Sequence, residues 1–271
     1  MPESSAASPS SFQTGRLLQY LGGAACRFDV DDVAECDSTN TQLLARAEAG
    51  APSGSVLVAD RQSAGRGRRG RAWYGAPGDS LTFSLLWRFP ENSPAPAALS
   101  LAVGLGLARG LESMGVEGLG LKWPNDLLLR GRKLGGVLVE LQAGQLRSAV
   151  IGVGLNLHLA TDLPSEIKGL AAALDETPGE CGREPVLAAL LSGLLTTLDE
   201  YAVVGFAGLR DAWLARHAYQ GQMVRISGGM DMEGQCAGVD ADGGLLLQTS
   251  QGVRAVVSGD VSLRPVGNSG A

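Results

Sequence analysis

Histidine and cysteine are scarce in this 271-residue chain, and the few present are badly spaced for metal or disulfide chemistry. Cys26, Cys36, Cys181 and Cys236 form no CxxC pair and have no neighbouring histidine, while His158 and His217 stand alone. No zinc site is readable from that spacing. A disulfide framework does not suit a chain this long, so reduced thiols are expected. Aromatic residues make up only 5%, which leaves few rings for stacking nucleic-acid bases. Positive charge is in the minority, with 22 Lys and Arg against 28 Asp and Glu and a net charge of −6. Such a chain has no general attraction for a phosphate backbone, so nucleic acid is not expected as a partner. Any anion site must come from a few clustered cations. No apolar run reaches membrane-spanning length without a charge or turn residue, and Met1–Thr14 lacks the basic start and apolar stretch of a signal peptide. No membrane partner is expected, and a soluble, cytoplasmic protein is.

What is present suits one sizeable core and one small extra domain, since 45% of the residues are hydrophobic. Periodicity predicts a short helix at Arg16–Leu21 and a second from the Asp37-Ser38-Thr39-Asn40 cap to about Ala49, stopped by Gly50. A buried strand is expected at Ser55–Asp60, a loop at Arg61–Ala72, a long strand at Ser80–Phe89 and an apolar helix at Ala97–Met114. Gly104, Gly106 and Gly110 in that helix suggest close packing. Strands follow at Leu119–Trp123, Leu127–Arg130, Gly136–Leu141 and Leu146–Leu157, with a turn at Ala143-Gly144-Gln145, then helices at Pro185–Tyr201 and Phe206–Tyr219. Beyond Gly221 the pattern becomes short strands at Met223–Ser227, Gly234–Asp240, Leu245–Thr249 and Val253–Ser258, with tight turns between them. That spacing suggests a small β-barrel. The division expected is residues 1–30 as a partly disordered N-terminal extension, 31–220 as the main domain and 221–271 as the barrel.

Three segments carry chemistry. Gly65-Arg66-Gly67-Arg68-Arg69-Gly70-Arg71 is followed by Ala72 and Trp73. Its glycines let backbone N–H groups approach a ligand, and its arginines present planar donors for carboxylate or phosphate. No Gly-Lys-Ser/Thr follows, so it is not a Walker A loop. Read alone, it fits a basic RNA-binding stretch or a solvated turn as well. Lys122-Trp123-Pro124-Asn125-Asp126 joins two strands, with Asn125 and Asp126 at a strand end where they can reach a ligand or Mg²⁺. A plain Asn-Asp turn is the simpler reading of that segment by itself. Lys133 follows at a hairpin, where a lysine is ordinarily solvated. Gly152-Val153-Gly154-Leu155-Asn156 alternates glycine and aliphatics on a strand, which suits either close approach to a flat ligand or a bulge.

Taken in order, Asp37–Asn40, Gly65–Trp73, Lys122–Asp126 (KWPND), Lys133–Glu140 (KLGGVLVE) and Gly152–Asn156 (GVGLN) closely resemble the biotin protein ligases. The resemblance is strong over residues 36–160 and weaker in the C-terminal β segment. It implies an α+β catalytic domain of the class II aminoacyl-tRNA synthetase type, a mixed sheet with helices on one side, and an SH3-like C-terminal barrel. It implies two half-reactions: biotin and MgATP give biotinyl-5′-adenylate, and a lysine of a biotin carboxyl carrier protein domain then takes the acyl group. Ser38, Thr39, Asn40, Gln62, Gly65, Arg66, Gly67, Arg68 and Lys133 resemble biotin-site residues. Arg66, Arg71, Trp73, Lys122, Asn125, Lys133 and Asn156 resemble those facing ATP or the adenylate. Lys133, Arg68 and Asp126 are the implied catalytic set, with Asp126 orienting Mg²⁺ or the incoming lysine.

Two residues depart from the pattern. Ala72 stands where the family often has a basic or polar residue, and His158 stands where Asn is frequent; it reads as a satisfied strand-end histidine. The 36 residues before Asp37 are too few for a helix-turn-helix domain, so a unifunctional enzyme, monomeric or weakly dimeric, is expected. The alternatives are a lipoate-type ligase of the same fold and a biotinyl-adenylate-sensing regulator.

Overall fold

The computed structural model describes residues 12–73, 75–93, 96–142, 145–159, 169–228, 231–257 and 261–265. The expectation for residues 1–11 and the turn at Ala143-Gly144 lie outside them.

Helix α1 (Thr14–Leu21) leads through a 3₁₀ turn (Gly22–Arg27) into β1 (Asp29–Cys36), α2 (Thr39–Glu48), β2 (Ser55–Gln62) and β3 (Ser80–Arg88). Helix α3 (Leu99–Ser113) follows, then β4 (Leu119–Lys122), β5 (Asp126–Leu129), β6 (Arg132–Gln142), β7 (Gln145–Asn156) and the long helix α4 (Arg183–Leu214). These strands form one seven-stranded sheet in the order β1-β2-β3-β7-β6-β5-β4. Its β1–β2 pair is parallel and the other pairs are antiparallel, so the sheet is mixed.

Strand β3 shows how sequence alternation becomes two layers. Leu81, Phe83, Leu85 and Trp87 point into the main core under α3 and α4, while Leu86 joins Leu43, Ala47 and Val150 on the opposite side. The long helices therefore cover one face, but α2 lies on the other, so the helices are not all on one side as expected. The reason is local: α2 follows β1 directly and its apolar positions meet Leu86 and Val150. Helix α3 packs on α4 through glycine. A Cβ at Gly110 would meet Ala189 O at 2.4 Å, and one at Gly193 would meet Gly106 O at 2.3 Å. The propensity cost of glycine in a helix is offset by this close approach.

By length and mean hydropathy of 1.4, α4 is apolar enough to cross a bilayer. It is a core helix here: Leu187, Leu190, Leu191, Leu194 and Leu198 are fully buried. It breaks at Gly205 (φ 63°, ψ −171°), close to the two helices expected. The second half stops at Leu214 rather than Tyr219 because the next residues pair with β4, Leu121 N–H donating to Arg216 O and Ala218 N–H to Leu121 O.

Strands β8 (Met223–Gly228), β9 (Met232–Val239), β10 (Leu245–Thr249), β11 (Gly252–Val256) and β12 (Val261–Pro265) form a second, antiparallel sheet in the order β11-β10-β9-β8-β12. Its apolar side, including Val224, Ile226, Val239, Leu245 and Leu247, joins the main core. The contact reaches the site region, because Trp123 Nε1 donates to Gly243 O at 3.0 Å.

Candidate active site

The ends of β1 and β2 place the first group. Ser38 caps α2, and Thr39 and Asn40 begin it; all three are buried. Gln62, at the end of β2, accepts the Thr39 N–H through Oε1 at 2.7 Å. Strand β2 runs two residues past its expected end because Glu35↔Arg61 and Cys36↔Gln62 continue the parallel ladder.

The arginine–glycine segment is a small folded hairpin. Arg66 and Ala72 bridge, Gly67 N–H donates to Arg71 O at 2.7 Å and Trp73 N–H to Gly65 O at 2.9 Å. Gly65 is required at the base, since a Cβ there would meet Trp73 O at 2.6 Å. At the tip, Arg69 adopts the left-handed region with φ 63°. Arg66 donates to Thr41 Oγ1 at 3.2 Å and Glu140 Oε2 at 3.1 Å, and Arg68 donates to Asn125 Oδ1 at 3.3 Å.

Strands β4 to β7 supply the opposite wall. Asn125 Nδ2 donates to Val137 O at 2.8 Å. Lys133 is the second residue of β6, which starts at Arg132, four residues earlier than the strand expected there, because the Lys133 backbone pairs with the Leu170–Ala172 segment on its outer side. Lys133 Nζ lies 2.6 Å from Asp126 Oδ1, and Lys122 Nζ lies 3.8 Å from Asp126 Oδ2. Trp73 lies against β7 at Gly154, where a Cβ would come within 2.3 Å of the indole, and Lys133 Nζ is 5.8 Å from the ring centroid. Trp73 Nε1 is buried and lacks a hydrogen-bond partner among the described residues.

These walls enclose a cavity of about 460 Å³ lined by Ser38, Thr39, Asn40, Gln62, Arg66, Gly67, Arg68, Arg71, Trp73, Lys122, Asn125, Asp126 and Lys133, among others. Two expected site residues are off the wall. Gly65 sits at the hairpin base. Asn156 donates through Nδ2 to Ala172 O at 3.0 Å and Lys133 O at 3.4 Å, so it ties the Lys133 backbone to the neighbouring segment. Other lining residues gave no sequence signal. Tyr219 arrives from the connection after α4 and sets its ring 5.9 Å from Lys122 Nζ. Leu170 lines the rim, and Thr82 the floor.

The lining holds six cations, Arg66, Arg68, Arg69, Arg71, Lys122 and Lys133, against one carboxylate, Asp126. An acidic chain has thus built a locally cationic cavity. A second group of lining residues, Ser38, Thr39, Asn40, Gln62 and Thr82, is neutral and polar, with Arg66 joined to it through Glu140. Cys36, close by, is no nucleophile: burial first, then Asp37 and Glu35, push its thiol up to about 11. His158 is exposed and its Nδ1 lies 2.8 Å from Asp175 Oδ2, outside the cavity lining. Among the described residues no three His, Cys, Asp or Glu side chains cluster as metal ligands.

The site is thus a cation-rich cavity on a mixed sheet, under an arginine–glycine hairpin. Residues 33–156 match the biotin/lipoate A/B protein ligase family, and residues 220–264 match the biotin protein ligase C-terminal domain. The chain is 35% identical to the biotin–[acetyl-CoA-carboxylase] ligase of Mycobacterium tuberculosis, over 90% of this chain and 92% of that one. It is 34% identical to the bifunctional ligase/repressor BirA of Escherichia coli, over 84% of this chain and 72% of that one. Among solved structures, the biotin protein ligase from Aquifex aeolicus in complex with biotin and ATP superposes with a TM-score of 0.77 at 32% identity, covering 88% of this chain and 99% of that one. The chain belongs to the biotin protein ligase family.

Proposed function

We propose that this chain joins biotin to a lysine of a biotin carboxyl carrier protein domain by way of biotinyl-5′-adenylate. The observation that carries the reading is the two-ended cavity, neutral and hydrogen-bonding at Ser38–Asn40 and Gln62, cationic at Arg68, Lys122 and Lys133. A cyclic urea head needs buried donors and acceptors, and the neutral end offers them. The cationic end suits the carboxylate and the phosphates, two anions that must meet.

In the first half-reaction, a biotin carboxylate oxygen bonds to the α-phosphorus of ATP and pyrophosphate leaves with the electron pair of the broken P–O bond. Lys133, Arg68 and Lys122 offset the mutual repulsion and the charge of the crowded phosphorus. Mg²⁺ enters as part of MgATP: Asp126 already faces two lysines, so the wall supplies no carboxylate cage of its own. The buried Trp73 N–H lacks an acceptor among the described residues, and we assign it, with its ring, to the nucleotide side. In the second half-reaction, the acceptor lysine amine, having lost a proton, bonds to the acyl carbon and AMP departs with the acyl-oxygen electron pair. The Arg66–Trp73 hairpin holds water away from the anhydride between the two steps.

Lipoate-type transfer is the second reading. A dithiolane ring has no use for the hydrogen-bonding groups of Ser38, Thr39, Asn40 and Gln62, and the burial of the first three favours the urea. Exchange of labelled pyrophosphate into ATP tests the choice. It should require biotin and fail with lipoate; exchange driven by lipoate alone would reverse the assignment. We further propose a cytoplasmic enzyme, monomeric or weakly dimeric, that does not read DNA sequence. The division into residues 31–220 for catalysis and 221–271 for a supporting barrel belongs to the same proposal.

A further inference from the structure

One charged side chain behind the cavity has no part in the chemistry above. Glu140, on β6, is half-buried and is absent from the cavity lining. Its Oε2 accepts from Asn40 Nδ2 at 2.7 Å and from Arg66 NH2 at 3.1 Å. A chain of polar groups runs from it across the neutral end of the cavity. Ser84 Oγ lies 2.6 Å from Asn40 Oδ1 and 2.7 Å from Thr39 Oγ1. Gln62 Oε1 accepts the Thr39 N–H.

The proton directions in this chain follow from Glu140. A carboxylate only accepts, so the Asn40 amide must turn its NH₂ toward Glu140 and toward Leu138 O, 3.3 Å away. Asn40 Oδ1 then faces Ser84 and needs its proton. Ser84 Oγ is within donating distance of both Asn40 Oδ1 and Thr39 Oγ1, and the Thr39 hydroxyl gives its own proton to Gln62 Oε1 at 3.0 Å. The Thr39 hydroxyl is left with lone pairs, and without a proton, for anything bound beside it. The same Glu140 oxygen holds Arg66, which also reaches Thr41 on α2. One carboxylate thus sets the polarity of the urea end and anchors the first arm of the hairpin.

We infer that Glu140 is a positioning residue that couples the biotin pocket to the arginine–glycine hairpin. This rests on the ligase reading, and the two fail separately. With Glu140→Gln, an amide NH₂ competes with Asn40, and the Arg66 anchor loses its charge. In the purified 271-residue chain the KM for biotin should rise about tenfold, equivalent to about 1.4 kcal/mol, while the KM for ATP changes less than about twofold. Trypsin should cut after Arg68, Arg69 and Arg71 faster than in the unaltered chain. Glu140→Asp, which keeps the charge, should recover most of the biotin KM.

Arg66→Gln provides an independent arm that does not depend on the folding of Glu140→Gln. It should open the hairpin to trypsin to the same degree, and the double variant should be no more open than either single one, as expected for partners in one interaction. Additive opening, or a normal biotin KM and normal proteolysis in folded Glu140→Gln, would overturn the inference while leaving the ligase reading intact. Absence of biotin-dependent exchange in the unaltered chain would instead remove the ligase reading, leaving the hairpin coupling to stand or fall on proteolysis.

Discussion

Lys133 and Asp126 face each other across β6 and β5, with Nζ 2.6 Å from Oδ1, so the lysine at the cavity wall is held by a carboxylate rather than left to solvent. Asp126 also meets Lys122. This small cluster stands at the cationic end, beside the Trp73 ring.

Removal of Lys133 should therefore be costly to chemistry and mild to folding. Lys133→Ala is expected to slow biotin-dependent pyrophosphate exchange by at least about a hundredfold, the effect of losing one fixed charge at a site of developing negative charge. An exposed lysine would be worth almost nothing. Near-normal exchange in a folded variant would return Lys133 to the surface-lysine reading.

The hairpin makes a second prediction. Arg66, Arg69 and Arg71 are exposed, and Arg69 at the tip is in the left-handed region with φ 63°. Ordering each residue costs roughly 1–2 kcal/mol of backbone freedom, so bound ligand should supply the remaining order. Trypsin should cleave at these arginines quickly in the free chain and much more slowly with biotin and MgATP together. MgATP alone should not protect. Equal resistance in both states would mean a preformed loop, and equal cleavage would mean that it does not close on the ligand.

Gly154 should tolerate no side chain. A Cβ there would lie 2.3 Å from the Trp73 indole, so Gly154→Ala must push the ring off β7. The expected outcome is a shifted tryptophan emission and at least an about tenfold rise in the KM for ATP, equivalent to about 1.4 kcal/mol. A shifted emission with an unchanged KM for ATP would show that the ring has no role at the nucleotide.

His217 predicts the acid side of the stability profile. It is buried between Trp213, 4.7 Å between ring centroids, and Cys236, whose sulfur is 3.8 Å from Nδ1. Burial lowers its pKa from 6.5 to about 4. The folded state thus resists a proton that the unfolded chain accepts. The stability due to neutral His217 is complete above pH 6.5 and is lost progressively as the pH falls toward about 4. The shift corresponds to about 3 kcal/mol. Urea titrations between these pH values should show that loss, and His217→Gln should flatten it. A flat profile in the unaltered chain would contradict the burial argument.

Some of this was legible in the residue order alone. The Ser38–Asn40 cap, the strands at Ser55 and Ser80, and the glycine-rich helix appear because capping and periodicity act over a few neighbouring residues. The five motifs named the family because their order is specific. Strand β1 did not stand out: its sequence, DVDDVAEC, mixes acids with small apolar residues on a half-exposed edge, and only parallel pairing with β2 makes it a strand. Strand β12 escaped for the same reason, being defined by its pairing with β8. Local sequence likewise gave Asn156 no reason to turn from the ligand toward Lys133 O and Ala172 O, because Ala172 reaches it through a connection that carries no motif. Tyr219 is a similar case, a polar residue in an ordinary context until the chain crosses itself, and Glu140, though it closes the KLGGVLVE motif, shows its partners Asn40 and Arg66 only in the fold. Sequence by itself determined which residue types were available for an acid and a nucleotide. Tertiary structure decided which of them share one cavity, because cations tens of residues apart, after β2 and on β4 and β6, meet only when these strands are assembled in one sheet.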